Sequence, residues 1–363
     1  LSTANIILFS ASQMAGLATA QVAGLLTSQM TALTTAQIQS LTSTQFDVLS
    51  TAQIVALNTA QILNLTTSQL TTLNTNQIKA IETIDVMTLT TAQISALSTT
   101  QTSIFGTEQI NALTTNQFRN LSTAQLVSFN STQFGEFDTT DLGALSTLQI
   151  LGLGTAPISY LATAQLIGLG TSQLQALATT QLQTLSTLNV AALSTAQFAS
   201  LSTSQLANLL TSQIKALTND QIDTLDAAEI TKLVTDQIKA LSTSQLDGLS
   251  TYQISSLTTD QVRALCSSQL LELSDDQLVA LTTAQIAALQ TKQINTLSTH
   301  QITAIETVDL ASLSTNQIQA LDTAQIGALS VTQLGNLTTR QVASLTVTQI
   351  MGLSGDQLET LGT

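Results

Sequence analysis

Four short segments of the chain place two carboxylates three residues apart: Glu82 with Asp85, Asp138 with Asp141, Asp226 with Glu229, and Glu306 with Asp309. On a helix that spacing puts both groups on one face. There they could supply hard oxygen ligands to a divalent cation, calcium above all, or a charged contact to a second chain. Alone, two carboxylates are too few for the roughly six to eight oxygens of a calcium shell. The pairing is not scattered, since only Asp322 repeats the first acid without the second. Duplication is the plainer origin. Ile81-Glu82-Thr83-Ile84-Asp85-Val86 and Ile305-Glu306-Thr307-Val308-Asp309-Leu310 are near copies, and acids suit both positions of a helix N-terminus.

Little else could do chemistry. The chain has one histidine, His300, one cysteine, Cys266, and no tryptophan. A Ser/His/Asp triad is formally possible, but serine is everywhere as a cap and His300 occupies a variable surface slot, and glycine never clusters as a phosphate-cradling loop. We therefore expect no enzyme, and calcium at the acidic pairs is the only cofactor suggested. Cys266 stands where most repeats have Ser or Thr, so it reads as a near-isosteric replacement, and a lone cysteine allows no internal disulfide. The net charge is −14, and the eight basic residues form no patch. Both facts argue against nucleic acid, whose phosphates need clustered Lys and Arg. No apolar stretch approaches the roughly 18 residues of a membrane span.

The elements that position these residues come from one repeat. Numbered from Leu1, every eighth residue to Leu361 is Leu, Ile or Phe, with no insertion or deletion. Slot six is almost as strictly apolar, slot five is Gln in 38 of 45 repeats, and slot three is Thr in 35 of 45. In Leu33-Thr34-Thr35-Ala36-Gln37-Ile38, Thr34 can cap a helix and Gln37 then falls at its third residue, which makes a capping box. Leu33 and Ile38 are the two ends of a hydrophobic staple. The charges agree with a helix dipole: of 22 acids, 16 lie in slots two to five, and six of eight bases lie in slots seven or eight. The only proline, Pro157, sits in the first helical turn, where a missing N–H costs little. Fourteen of 15 glycines lie in slots seven, eight or two, the junctions where glycine often ends a helix.

One continuous helix is excluded. Eight residues at about 100° each overshoot two turns by about 80°, so slots one and six could not share a stripe. The expected fold is all-α: a solenoid of helices of about two turns, one per octapeptide, with stacking supplying the stability that such short helices lack alone. The alternative is a β-solenoid with Thr and Gln ladders. It accounts better for the strictness of Thr and Gln, and worse for the charge polarity, the alanine content and the scarcity of valine. No linker or composition shift divides the sequence, so residues 1–363 read as a single uninterrupted solenoid and a segment of a longer chain. Thr102 is the one polar residue in slot six, and Ile104 and Phe105 are placed to fill its gap. Phe118, Phe129, Phe134 and Phe137 read as added core volume.

The string Leu-Thr-Thr-Ala-Gln-Ile resembles the helix opening of TAL-effector repeats, over six residues of a much longer unit. The base-reading pair of those repeats is missing, so the resemblance implies a helix and no DNA recognition. Over its full length the chain resembles low-complexity proteins of bacteria built from Leu-Thr-Thr-Ala-Gln-Ile/Val octapeptides. That resemblance implies a secreted or cell-surface location and brings no active-site residue with it. The function expected is a structural one, an extracellular fibre, filament or surface stalk whose partner is a further copy of the chain. A sparsely charged Thr/Gln surface suits such contacts, because little charge must be desolvated. The alternative is a binding module, either an adhesin shaft or an ice- or surface-binding array of regularly spaced threonines.

Overall fold

The computed structural model describes residues 2–361, so Leu1 and Thr363 of the expected 1–363 solenoid lie outside the described residues. Among the described residues there are 45 helices, one per octapeptide, each of four to seven residues, and no strand. The β-solenoid alternative is thereby excluded. The reason lies within each octapeptide, where both helix-start devices are present and a period-two apolar pattern is not.

Helices begin as the capping pattern predicts. In the helix Ser43–Asp47, the Thr42 hydroxyl accepts from the Gln45 amide at 3.3 Å, and Gln45 Oε1 accepts from the Thr42 amide at 2.7 Å. The same reciprocal box recurs with Ser50, Asn58 and Asp322 as caps. Where slot two holds Ala18, Leu26 or Gly106, no side chain can cap, yet the glutamine half of the box persists. A cap of this kind contributes about 1 kcal/mol.

They end differently from expectation. Among the described glycines only Gly154 has a positive φ, 74°, so the junction glycines are not left-handed caps. The helix is broken instead at slot one, where leucine turns extended: Leu41 has φ −64° and ψ 133°, and Leu257 has φ −58° and ψ 141°. That turn carries the slot-one side chain into the core beside slot six, and burying an aliphatic side chain of this size stabilises by about 1.5–3 kcal/mol. Gly154 marks the exception. Leu153 there stays helical, so the break falls one residue later, ahead of the helix Thr155–Tyr160 that contains Pro157.

The chain divides into two compact units, Leu1–Leu185 and Ser186–Thr363, with the boundary between a slot one and a slot two. Each unit is an α-solenoid. In the first, Ser43–Asp47 packs on Thr67–Thr72, three repeats further on; in the second, Thr291–Thr296 packs on Thr315–Ala320 in the same relation. Slots one and six form the buried core in both. Phe118, Phe129, Phe134 and Phe137 are buried, and Phe137 meets Phe118 edge-on with centroids 4.9 Å apart. Thr102 leaves no gap to fill. It is itself buried, and its hydroxyl pairs with Ser128 at 3.0 Å, while Ile104 stays half-exposed and Phe105 takes the ordinary slot-one place.

Candidate functional site

Slot five governs what each acidic pair can do, because its usual occupant works twice. While Oε1 caps its own helix, the glutamine Nε2 donates to backbone three and four repeats back. Gln69 Nε2 donates to the carbonyls of Ile38 and Leu41, each at 2.8 Å, 31 and 28 positions earlier. Gln253 does the same to Ile222 at 3.0 Å and Leu225 at 2.9 Å. Those carbonyls belong to a helix C-terminus and the junction after it, which would otherwise be short of donors. Each glutamine thus closes the start of one helix and the end of another. With helix neighbours three repeats apart and glutamine bonds reaching four back, one solenoid turn takes between three and four octapeptides.

Sequence reasoning missed this second role. It credited Gln with capping alone, for which Glu would serve as well, although the near absence of Glu from slot five was the available signal. Only the amide offers a donor and an acceptor together. A second set of cross-ties runs from slot seven to a slot-eight carbonyl three repeats ahead, as from Thr31 to Ala56 and from Gln39 to Asn64, each at 2.8 Å. In the second unit Arg263 and Asn295 reach Ala288 and Ala320 in the same way.

Replacing the amide by a carboxylate removes the donor, and the four acidic repeats resolve this in two ways. Asp226 and Glu229 rebuild the capping box, with Asp226 accepting the Glu229 amide at 2.8 Å and Glu229 accepting the Asp226 amide at 2.9 Å. Asp138 caps the Asp141 amide at 2.7 Å, and Asp141 Oδ1 accepts the Thr115 hydroxyl at 3.0 Å. In the other two repeats Glu82 and Glu306 stand at the cap without making a cap bond. Asp85 and Asp309 are buried there, 3% and 5% exposed, and the Oδ1 of each has no hydrogen-bond partner. Burial also perturbs acidity. It pushes the Asp85 carboxyl above its usual range, with the Glu82 charge adding to the effect and the Thr59 hydroxyl opposing it. Asp141 is pushed up to about 6, by burial first and then by the charge of Asp138, against the Thr115 bond. Burial raises Glu229 too, partly offset by the Asp226 amide.

The structure therefore keeps each pair on one helix but does not bring different pairs together. Among the described residues no three His, Cys, Asp or Glu side chains converge as a metal-binding group. Cys266 is an exposed helix cap whose Sγ lies 3.2 Å from Ser268 Oγ. Burial pushes its thiol up, but hydrogen bonds from Ser268 and neighbouring amides outweigh this and hold it below the ordinary thiol value. His300 Nε2 lies 2.9 Å from Asp275 Oδ2 on the surface. No helix among the described residues is long and apolar enough to cross a membrane.

A family profile described as the ALTTAQ repeat matches residues 25–59, 78–115, 190–227, 230–267, 259–291 and 302–339, more than half of the chain. The chain belongs to the ALTTAQ-repeat family. The profile's six letters spell slots eight, one, two, three, four and five of the octapeptide, so they end on the glutamine that joins two helix ends. The Glu82/Asp85 and Glu306/Asp309 repeats fall inside matched segments, as does Asp226. No curated protein matches the chain.

Proposed function

We propose that this ALTTAQ-repeat chain is a structural protein of bacterial origin, secreted or displayed at the cell surface, that builds a fibre, filament or stalk by association of its own copies. The observation that carries the reading is the glutamine register. The residues that recur most strictly, slots one, five and six, are turned inward to hold the solenoid together. What they present outward is a long, regular surface of Ser, Thr, Asn and Ala with few charges, which costs little to desolvate against another copy. Slots two, four and seven, which carry that surface, also hold exposed Leu148, Leu188, Tyr252 and Val308, apolar groups available to such contacts.

Electron microscopy of the purified chain at physiological salt tests this. Ordered filaments or sheets are the expected result, and their axial spacing should match a turn of three to four octapeptides. Isolated, monodisperse particles would sink self-assembly and favour the second reading, an adhesin shaft or a surface-binding threonine array. One observation supports that second reading: slot-three threonines such as Thr35, Thr51 and Thr323 are the first residues of their helices and remain exposed or half-exposed. A threonine array of that kind should inhibit ice recrystallisation.

A further inference from the structure

The two buried aspartates leave the same defect at two separate places. Flanking Asp85, Gln77 donates to the Leu49 carbonyl at 2.7 Å and Gln93 to the Leu65 carbonyl at 2.9 Å, both 28 positions back. The carbonyl in register with residue 85 is that of Leu57, and no donor reaches it among the described residues. Flanking Asp309, Gln301 donates to Leu273 at 3.2 Å and Gln317 to Leu289 at 2.6 Å. The corresponding carbonyl, of Leu281, also lacks a donor. A buried carboxylate oxygen without a partner therefore occurs in each case at the slot whose amide normally serves a slot-one carbonyl. The Thr59 hydroxyl, which opposes the rise in the Asp85 pKa, still leaves Oδ1 without a hydrogen-bond partner. A glutamate three residues earlier on the same helix face makes no cap bond and is free to turn toward the same point.

Acceptors gathered without donors require a positive occupant, since an unpaired buried polar oxygen is costly and an unpaired buried charge more so. We propose that Asp85 with Glu82, and Asp309 with Glu306, are two equivalent sites for calcium. Each is formed by the two carboxylates and the slot-one carbonyl, of Leu57 or Leu281, 28 residues and three repeats back. Every protein donor is a hard oxygen, and the set mixes a backbone carbonyl with carboxylates, a ligand mixture that suits calcium better than magnesium. Water completes the shell. At the first site Glu82 is exposed and lines an open groove of about 750 Å³ with Lys79, Ile84, Ile104 and Glu108, so solvent reaches the glutamate end of the pair. The bound ion replaces the lost glutamine tie, joining the start of one helix to the junction behind it. The Asp138/Asp141 and Asp226/Glu229 pairs, whose slot-five carboxylates are only half-buried and leave no buried oxygen without a partner, are not sites. The proposal stands whether or not copies of the chain assemble.

The test is calcium titration of the purified 363-residue chain by calorimetry, with thermal unfolding in calcium and in chelator. Two ions per chain are expected, with one in Asp85→Gln, one in Asp309→Gln and none in the double variant. Gln is the ordinary residue at both positions and restores the missing amide, so these variants keep the fold, as far-UV circular dichroism will check. Glu82→Gln with Glu306→Gln should weaken binding at least tenfold while leaving the buried aspartates in place, and Asp141→Gln should still bind two. Calcium should raise the Tm of the wild type and not of the double variant. No uptake, uptake that survives in the double variant, or binding of magnesium in preference to calcium would each overturn the assignment. So would a proton as the occupant, which would appear as no uptake together with a gain in stability on acidification that the double variant lacks.

Discussion

A single glutamine side chain closes two helix ends at once, and its removal should cost accordingly. Gln253→Ala would strand the Ser250 amide and the Leu225 carbonyl and take one of two donors from the Ile222 carbonyl. Three hydrogen bonds, two of them buried, at about 1 kcal/mol each predict a loss of about 3 kcal/mol, readable as a lower urea midpoint. Gln253→Glu should recover only the capping part, because it restores the acceptor and not the donor. Asp141 gives a pH dependence of opposite sign to the usual carboxylate. Its folded value, about 6, lies above its ordinary 3.8, so the folded state holds the proton more tightly than the unfolded chain does. The stabilisation is complete below about pH 4 and fades as pH rises through 6. For this half-exposed group the gain is on the order of 1 kcal/mol once solvent screening is allowed for. Thermal unfolding between pH 7 and 4.5 should show it in the wild type and less of it in Asp141→Asn. The four acidic pairs were legible in the sequence as pairs. That Glu229 would cap while Asp309 would be stranded was not, because the difference depends on a backbone 28 residues away.

Helix existence and polarity could be read from the octapeptide, since a cap, a third-residue glutamine and a staple act within eight residues. The helix stops were misread, because glycine at a junction has the same one-letter signature whether or not it adopts a positive φ. The extended turn at slot one is instead set by burial of leucine, a tertiary effect. Spacing between neighbouring elements is likewise hidden from sequence. Alanine is common in slot eight, yet a Cβ on Gly168 would come within 2.7 Å of Thr139 Cβ, and one on Gly152 within 2.6 Å of Thr123 Cγ2. Gly168→Ala should therefore destabilise by about 1–3 kcal/mol, where helix propensity alone would predict a gain. A fall in Tm checks it, and a rise would show that the helices can move apart freely.

Across the molecule, every repeat meets its neighbours through equivalent slots, so whole repeats should be interchangeable while fractions of one should not. Deleting residues 49–56, one complete octapeptide, leaves every later glutamine facing a slot-six and a slot-one carbonyl and should shift Tm by only a few degrees. Deleting residues 53–56 moves the glutamines whose ties cross the gap, Gln61, Gln69 and Gln77, half a repeat out of step and should lower the Tm of the first unit far more, followed by circular dichroism. Strict register was the clearest message of the sequence; the size of a turn was not, because nothing inside an octapeptide encodes how many complete a circuit. The glutamine ties also separate connection through space from connection along the chain. A cut between Leu65 and Thr66 would leave Gln69, Gln77 and Gln93 still bonded across it, to Ile38 and Leu41, to Phe46 and Leu49, and to Ile62 and Leu65. A protease that nicks one exposed junction would thus release nothing, and the two pieces would travel together until several neighbouring junctions had been severed.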